Sequence, residues 1–176
     1  MQRNVKRNLQ LTLAIIKPHV TKVPHALQKI RDTILSNGFY VVQRKTTIMT
    51  EEMASAFYAE HKNQFFYNRL VTFMCSGPSE VHILARQDAI KVWRDLMGPT
   101  KVYQAQYIAP ESIRGSFGLS DTRNAAHGSD SPESASREIQ IFFPDFDIAK
   151  WLQEEEKFFN TGAVKLCDED FVHVKV

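Results

Sequence analysis

The chain alternates short apolar blocks with amphipathic stretches, and the period of each block predicts an element. Leu11 to Lys17 is a compact apolar run halted by Pro18, which reads as a buried strand. Pro24 suits a first helical turn, Leu27, Ile30 and Ile34 follow at helical spacing, and Asn37-Gly38 closes the helix. Phe39 to Ile48, rich in β-branched and aromatic residues, predicts a second strand. Thr50 with Glu51-Glu52 starts a helix through Met53, Phe57 and Tyr58. Phe65 to Cys75 continues as helix, with Phe66, Leu70 and Phe73 on one face, until Ser76-Gly77-Pro78 breaks it. Val81 to Ala85 predicts a third strand. Asp88 then caps a helix that turns Ala89, Val92, Trp93 and Leu96 inward and ends at Gly98-Pro99.

From there to Ser134 the periodicity fades. Gly115, Gly118 and Gly128 punctuate a mostly polar stretch that reads as a long loop, functional or disordered, with a fourth strand hidden near Ala125 to His127. A helix over Ser134 to Phe143 stops at Pro144, and a last helical piece carries Trp151 and Leu152. His173 to Val176 alternates weakly, as a small strand would. This order of elements predicts an α+β fold, a ferredoxin-like split βαβ antiparallel sheet covered by helices. It places one domain over residues 11–158, after a basic leader (1–10) and before a C-terminal tail (159–176).

Composition narrows the function classes. With 176 residues, 43% of them hydrophobic and twelve of them Phe, one domain with a real core is expected. A net charge of +2 argues against nucleic acid or membrane binding by bulk electrostatics, while leaving small anions open. Cys75 and Cys167 lie far apart without a C-x-x-C and read as free thiols in a reducing compartment. No apolar run could span a bilayer. Before Asp32 there is no acidic residue, and such a basic N-terminus is either an organelle-targeting segment or a solvated leader. An intracellular protein, cytoplasmic or mitochondrial, is expected.

The chemistry-bearing residues gather late in the chain. There is no G-x-x-x-x-G-K-[ST], no G-x-G-x-x-G and no kinase H-R-D or D-F-G pair. The bare G-x-x-G of Gly115 to Gly118 has neighbours unlike an RNA-binding module. Asn124-Ala-Ala-His127-Gly128-Ser129-Asp130, in contrast, sets a histidine among small residues that leave a ligand room. Imidazole titrates near neutrality and can form a covalent intermediate, and a phosphorus–nitrogen bond can pass its phosphoryl group on. A lone histidine in such a loop could equally be a surface or capping residue. Arg94, Arg114, Thr100 and Lys101 supply groups suited to phosphate, whereas Arg123 and Arg137 read as a solvated face. Glu138 falls beside the apolar face of Ala135, Ile139 and Phe142, where a carboxylate needs a partner: either an imidazole N–H or an edge ion pair with Arg137 or a lysine.

The segment from Asn124 to Glu138 closely resembles the active-site signature of nucleoside diphosphate kinases. The resemblance runs from about Leu11 to Pro144 and includes Ala14-Ile-Ile-Lys17-Pro18, Phe65-Phe66, Ser76-Gly77-Pro78, Met97-Gly98-Pro-Thr100 and Ser112-Ile-Arg114-Gly115. Asp145-Phe-Asp and the longer tail resemble a divergent type within that family. The resemblance implies that His127 accepts the phosphoryl group, with Glu138 on its other ring nitrogen, Ser129 beside it and Tyr58 approaching the phosphate. It implies that Lys17 and Asn124 bind sugar hydroxyls and the bridging oxygen, that Phe65 stacks on the base, and that Arg94, Thr100 and Arg114 grip phosphates. Mg2+ would be held through the nucleotide's phosphates, without a protein metal motif. The substrates would be nucleoside di- and triphosphates, and relatives assemble as hexamers or tetramers. Three features depart from the family pattern: His19 where most relatives have Asp, a shorter Tyr58–Phe65 connection and a longer Thr100–Arg114 stretch. The last lies where relatives make subunit contacts, so a homo-oligomer or a protein partner are both open, and a weakly active, partner-dependent regulatory subunit is the alternative to an autonomous enzyme.

Overall fold

A two-sided strand organises the molecule. In the computed structural model, which describes residues 7–176, β1 (Gln10–Ile16) is buried along nearly its whole length. Its odd residues Leu11, Leu13 and Ile15 enter one core and Ala14 and Ile16 enter another, because successive side chains point to opposite faces. A strand buried on both faces shows no alternation, which is why a continuous apolar run was its signature. β3 (Ser79–Arg86) lies antiparallel beside it, β2 (Tyr40–Thr47) flanks β3, and β4 (Ala126–Gly128) flanks β1 on the other side. The order β2-β3-β1-β4, antiparallel throughout, is the predicted ferredoxin-like arrangement.

Helices cover both faces. After the single turn α1 (Pro18–Thr21), α2 (Pro24–Ser36) lays Ile30 and Ile34 against Ala14, Ile16 and Leu84. α3 (Glu51–Phe57) starts at Thr50, whose Oγ1 accepts the Met53 N–H at 3.1 Å. With α4 (Tyr67–Met74) it covers the other face, where Phe57, Leu70, Val71 and Met74 meet Leu13 and Ile15. α5 (Ala89–Met97) lies on the α2 side of the sheet, with Trp93 and Met97 in the same core. Asp88 sits at its start with φ 53 and makes no side-chain cap; Gln10 Oε1 accepts the Ile90 N–H at 2.9 Å instead.

The stretch expected to be a long loop holds α6 (Val102–Ile108) and α7 (Ile113–Phe117), the latter capped by Ser112. Helices of seven and five residues are too short for a period to register. α8 (Pro132–Phe142) begins two residues before the expected Ser134, because Ser131 is its cap and Pro132 its first residue. α9 (Ile148–Lys150), a π turn over Trp151–Glu155 and α10 (Glu156–Asn160) lead to a hairpin, β5 (Val164–Cys167) with β6 (Val172–Lys175). Phe171 at its turn is buried in the α2-side core. At the other terminus Leu9 is buried and its N–H donates to Glu156 Oε1 at 2.8 Å. The first six residues of the basic leader lie outside the described residues. No described helix is long and apolar enough to cross a membrane.

Candidate active site

β4 and α8 meet at one histidine. His127 leaves β4 towards the face covered by α3 and α8, and its side chain is 25% exposed. Its Nε2 lies 3.0 and 3.2 Å from the two oxygens of Glu138, which is buried. A carboxylate only accepts, so Nε2 carries a hydrogen, and whenever the ring is neutral Nδ1 is the nitrogen with the lone pair. Ser129, fully buried, accepts the Leu13 N–H at 3.1 Å and donates to Glu138 Oε1 at 2.7 Å. Glu138 is thus aimed by β1 through Ser129. Of its two possible partners it takes the imidazole, while Arg137 reaches Ala56 O at 3.4 Å. The Phe57 ring packs edge-on against the imidazole, with centroids 4.8 Å apart.

The backbone leading to His127 is strained. Ala125 has φ 77, and the Ala126 N–H bonds back to Asn124 O at 3.0 Å in a three-residue turn. A side-chain-bearing residue in that region costs of order 1–3 kcal/mol and persists only where its surroundings enforce it. Here they do. Lys17 N–H takes Ala125 O at 2.9 Å, and Arg114 donates to Gly98 O at 2.8 Å and Ala126 O at 3.2 Å. Trp93 Nε1 donates to His127 O at 3.0 Å.

Several polar groups around this turn are buried without partners: Tyr58 Oη, Asn124 Oδ1, Arg114 Nε and His19 Nδ1. Burial pushes the Tyr58 phenol well above its usual range. Burial, and then the neighbouring Arg114, lowers Lys17 to about 7. Burial, and then Arg94, lowers Arg114 to about 10. Two buried cations beside the unpaired Tyr58 and Arg114 donors form a place where an anion would be welcome, whereas Asn124 Oδ1 and His19 Nδ1 are acceptors. His19 closes its outer side, bonding Phe117 O at 3.2 Å and lying 5.7 Å from the Phe73 ring.

The remaining predicted residues lie further out. Arg94 and Thr100 are exposed. Phe65 is 88% exposed at the end of an aromatic series, Phe57, Tyr58, His61, Phe66 and Phe65, with successive centroids 4.6 to 6.4 Å apart. Between α4 and the Ser120–Arg123 segment opens a cavity of about 760 Å3. His127 does not line it, but Lys17 reaches its wall, with Nζ 3.4 Å from Thr122 O. Arg123, which reads in sequence as a solvated residue, is exposed but lines this cavity, with its guanidinium 5.6 Å from the Phe73 ring. In sequence Trp93 reads only as an inward-facing core residue; its bond to the His127 carbonyl has no sequence signal.

Residues 10–148 match the family model described as nucleoside diphosphate kinase. The chain is 53% identical over 165 residues to nucleoside diphosphate kinase 6 of Homo sapiens, covering 94% of this chain and 89% of that protein. To the protein of the same name in Danio rerio it is 48% identical, with 94% of each covered. Among solved structures, the nucleoside diphosphate kinase of Aquifex aeolicus superposes with a TM-score of 0.74 at 42% identity, covering 77% of this chain and 95% of that one.

Proposed function

The chain belongs to the nucleoside diphosphate kinase family, and from that premise we propose that it moves the γ-phosphate of a nucleoside triphosphate such as ATP to nucleoside diphosphates through a phosphohistidine at His127. The observation that carries this reading is the tautomer set by Glu138: Nε2 is occupied and Nδ1 is the free lone pair. Nδ1 attacks the γ-phosphorus in line, a nitrogen–phosphorus bond forms and the bond to the bridging oxygen breaks, so that the diphosphate leaves. The ring becomes cationic as it reacts, and the Glu138 carboxylate stabilises that charge. A second diphosphate then attacks the phosphohistidine through its terminal oxygen, which restores the neutral ring.

Around that step, Tyr58 Oη, Asn124, Lys17 and Arg114 supply donors for the phosphoryl and ribose oxygens, and Arg94 and Thr100 take the outer phosphates. Phe65 offers an exposed ring on which any base can stack. Magnesium is read as arriving on the nucleotide's phosphates, where it neutralises charge. Among the described residues no three His, Cys, Asp or Glu side chains gather to hold a metal.

The test is incubation with γ-labelled ATP and a search for acid-labile protein phosphate. We expect label on the wild-type chain and none on His127→Asn. An unlabelled wild type would sink the autonomous enzyme, and a labelled His127→Asn would sink the site. A second reading, a partner-dependent subunit, draws on Tyr103, Tyr107 and Ile108, which leave α6 with exposed apolar surface in the stretch that leads to Arg114. It expects label only when a further protein is present.

A further inference from the structure

The strand that carries His127 is three residues long and lies at the edge of the sheet, yet three successive carbonyls around it are each held by a different part of the chain. Lys17 holds Ala125 and Arg114 holds Ala126, and both of those residues also belong to the anion-facing cluster. The third donor does not. Trp93 is fully buried on the α2 and α5 side of the sheet, away from Glu138, and its Nε1 donates to His127 O at 3.0 Å. Its ring is braced edge-on by Phe39, with centroids 6.1 Å apart. Gly128 gives it room, since a Cβ there would run into Trp93 Cδ1 and Nε1 and Met97 Cε.

We propose that Trp93 is a positioning residue for phosphoryl transfer: its indole N–H fixes the backbone of the nucleophile from one face of the sheet while Glu138 fixes the ring from the other. The inference rests on the phosphohistidine reading. The strained turn at Ala125 makes such a clamp necessary, because an edge strand entered through a left-handed residue can relax unless its carbonyls are tied. Losing the tie leaves the packing in place and lets Nδ1 wander by a fraction of an ångström. In-line attack is sensitive to that distance: about a hundredfold in rate can follow from a shift of roughly 1 Å.

The experiment replaces Trp93 in the full chain with 3-benzothienylalanine, which keeps the shape of the indole but puts sulfur where the N–H was; Trp93→Phe is the second variant. Two quantities are followed: the rate and half-saturating concentration for labelling by γ-labelled ATP, and the 15N signal of the His127 imidazole. Both variants should label about tenfold more slowly with an unchanged half-saturating concentration, and the Nε2–H resonance should broaden or shift. A benzothienyl protein that labels at the wild-type rate overturns the proposal. Absence of label on the wild type would count against the phosphohistidine reading alone. The imidazole signal then decides: altered in the benzothienyl protein, it supports the clamp, and unaltered, it overturns it.

Discussion

Glu138→Gln tests the centre of the site with a change of one atom type. The wild-type carboxylate accepts from two donors, Ser129 Oγ at 2.7 Å and His127 Nε2 at 3.0 Å, and it is buried. A glutamine keeps the volume but replaces one acceptor oxygen with a donor nitrogen. If its oxygen stays with Ser129, its amide faces the imidazole, and the ring must move its hydrogen to Nδ1 to accept from it. The reacting nitrogen is then occupied. If the amide turns the other way, the ring keeps its tautomer but loses the negative charge that stabilises it as it becomes cationic. A hydrogen bond to a charged group is worth about 1.5–3 kcal/mol, which sets the loss at about ten- to a hundredfold in rate. The assay is rapid-quench labelling at saturating γ-labelled ATP, with thermal unfolding as the control for folding. The melting temperature should change little, since removing a buried charge offsets the weaker bond. A labelling rate within twofold of wild type would refute the assignment of Glu138 as the group that sets the tautomer.

Three further outcomes follow. Lys17 is held at about 7, so a growing share of it is neutral in the free protein above that pH, and a bound phosphate should recharge it. Nucleotide binding above neutrality should therefore take up a proton and weaken with rising pH by at most about tenfold per pH unit, a trend that Lys17→Met should abolish; calorimetry in buffers of different ionisation enthalpy reads the proton directly. The same depressed value costs the folded state stability below pH 7, and that cost should be relieved as pH rises from there towards 10.5, the ordinary value for lysine. Phe65→Ala removes an exposed ring that carries no part of the core, so folding should be untouched while affinity falls by about 1–3 kcal/mol, similarly for purine and pyrimidine nucleotides; equal affinity in a direct binding titration would remove Phe65 from the site.

What could be read from the sequence, and what could not, divides along a physical line. The sheet was legible because β1 and β3 are apolar enough to be buried on both faces, and Ile30 and Ile34 mark the buried face of α2. The pairing of His127 with Glu138 was legible as one of two alternatives, because a carboxylate on an apolar helix face demands a donor and an imidazole N–H can supply it. The parts that hold these groups still are of a different kind. A carbonyl such as His127 O accepts from any N–H brought near it, so Trp93 could be read only as core. Ala125 at φ 77 defies the residue preferences that mark such turns, since glycine or asparagine would be expected there. Phe171 at φ 52 does the same in the tail hairpin, where burial in the α2-side core outweighs the local cost. Gln10 caps α5 from 80 positions away, which no local motif reveals. In each case the deciding contact is long-range and uses backbone or packing, whose requirements many sequences can meet. The strain at Ala125 gives this division a consequence. A turn that disfavours itself is kept only by donors from elsewhere, so the precision of His127 depends on Lys17, Arg114 and Trp93 together. Two of those three also face the anion-binding side. Lys17 ties Ala125 through its backbone N–H and Arg114 ties Ala126 through its guanidinium, so the residues proposed to meet phosphate also hold the backbone on either side of the turn, and Trp93 is the tie that comes from the other face of the sheet.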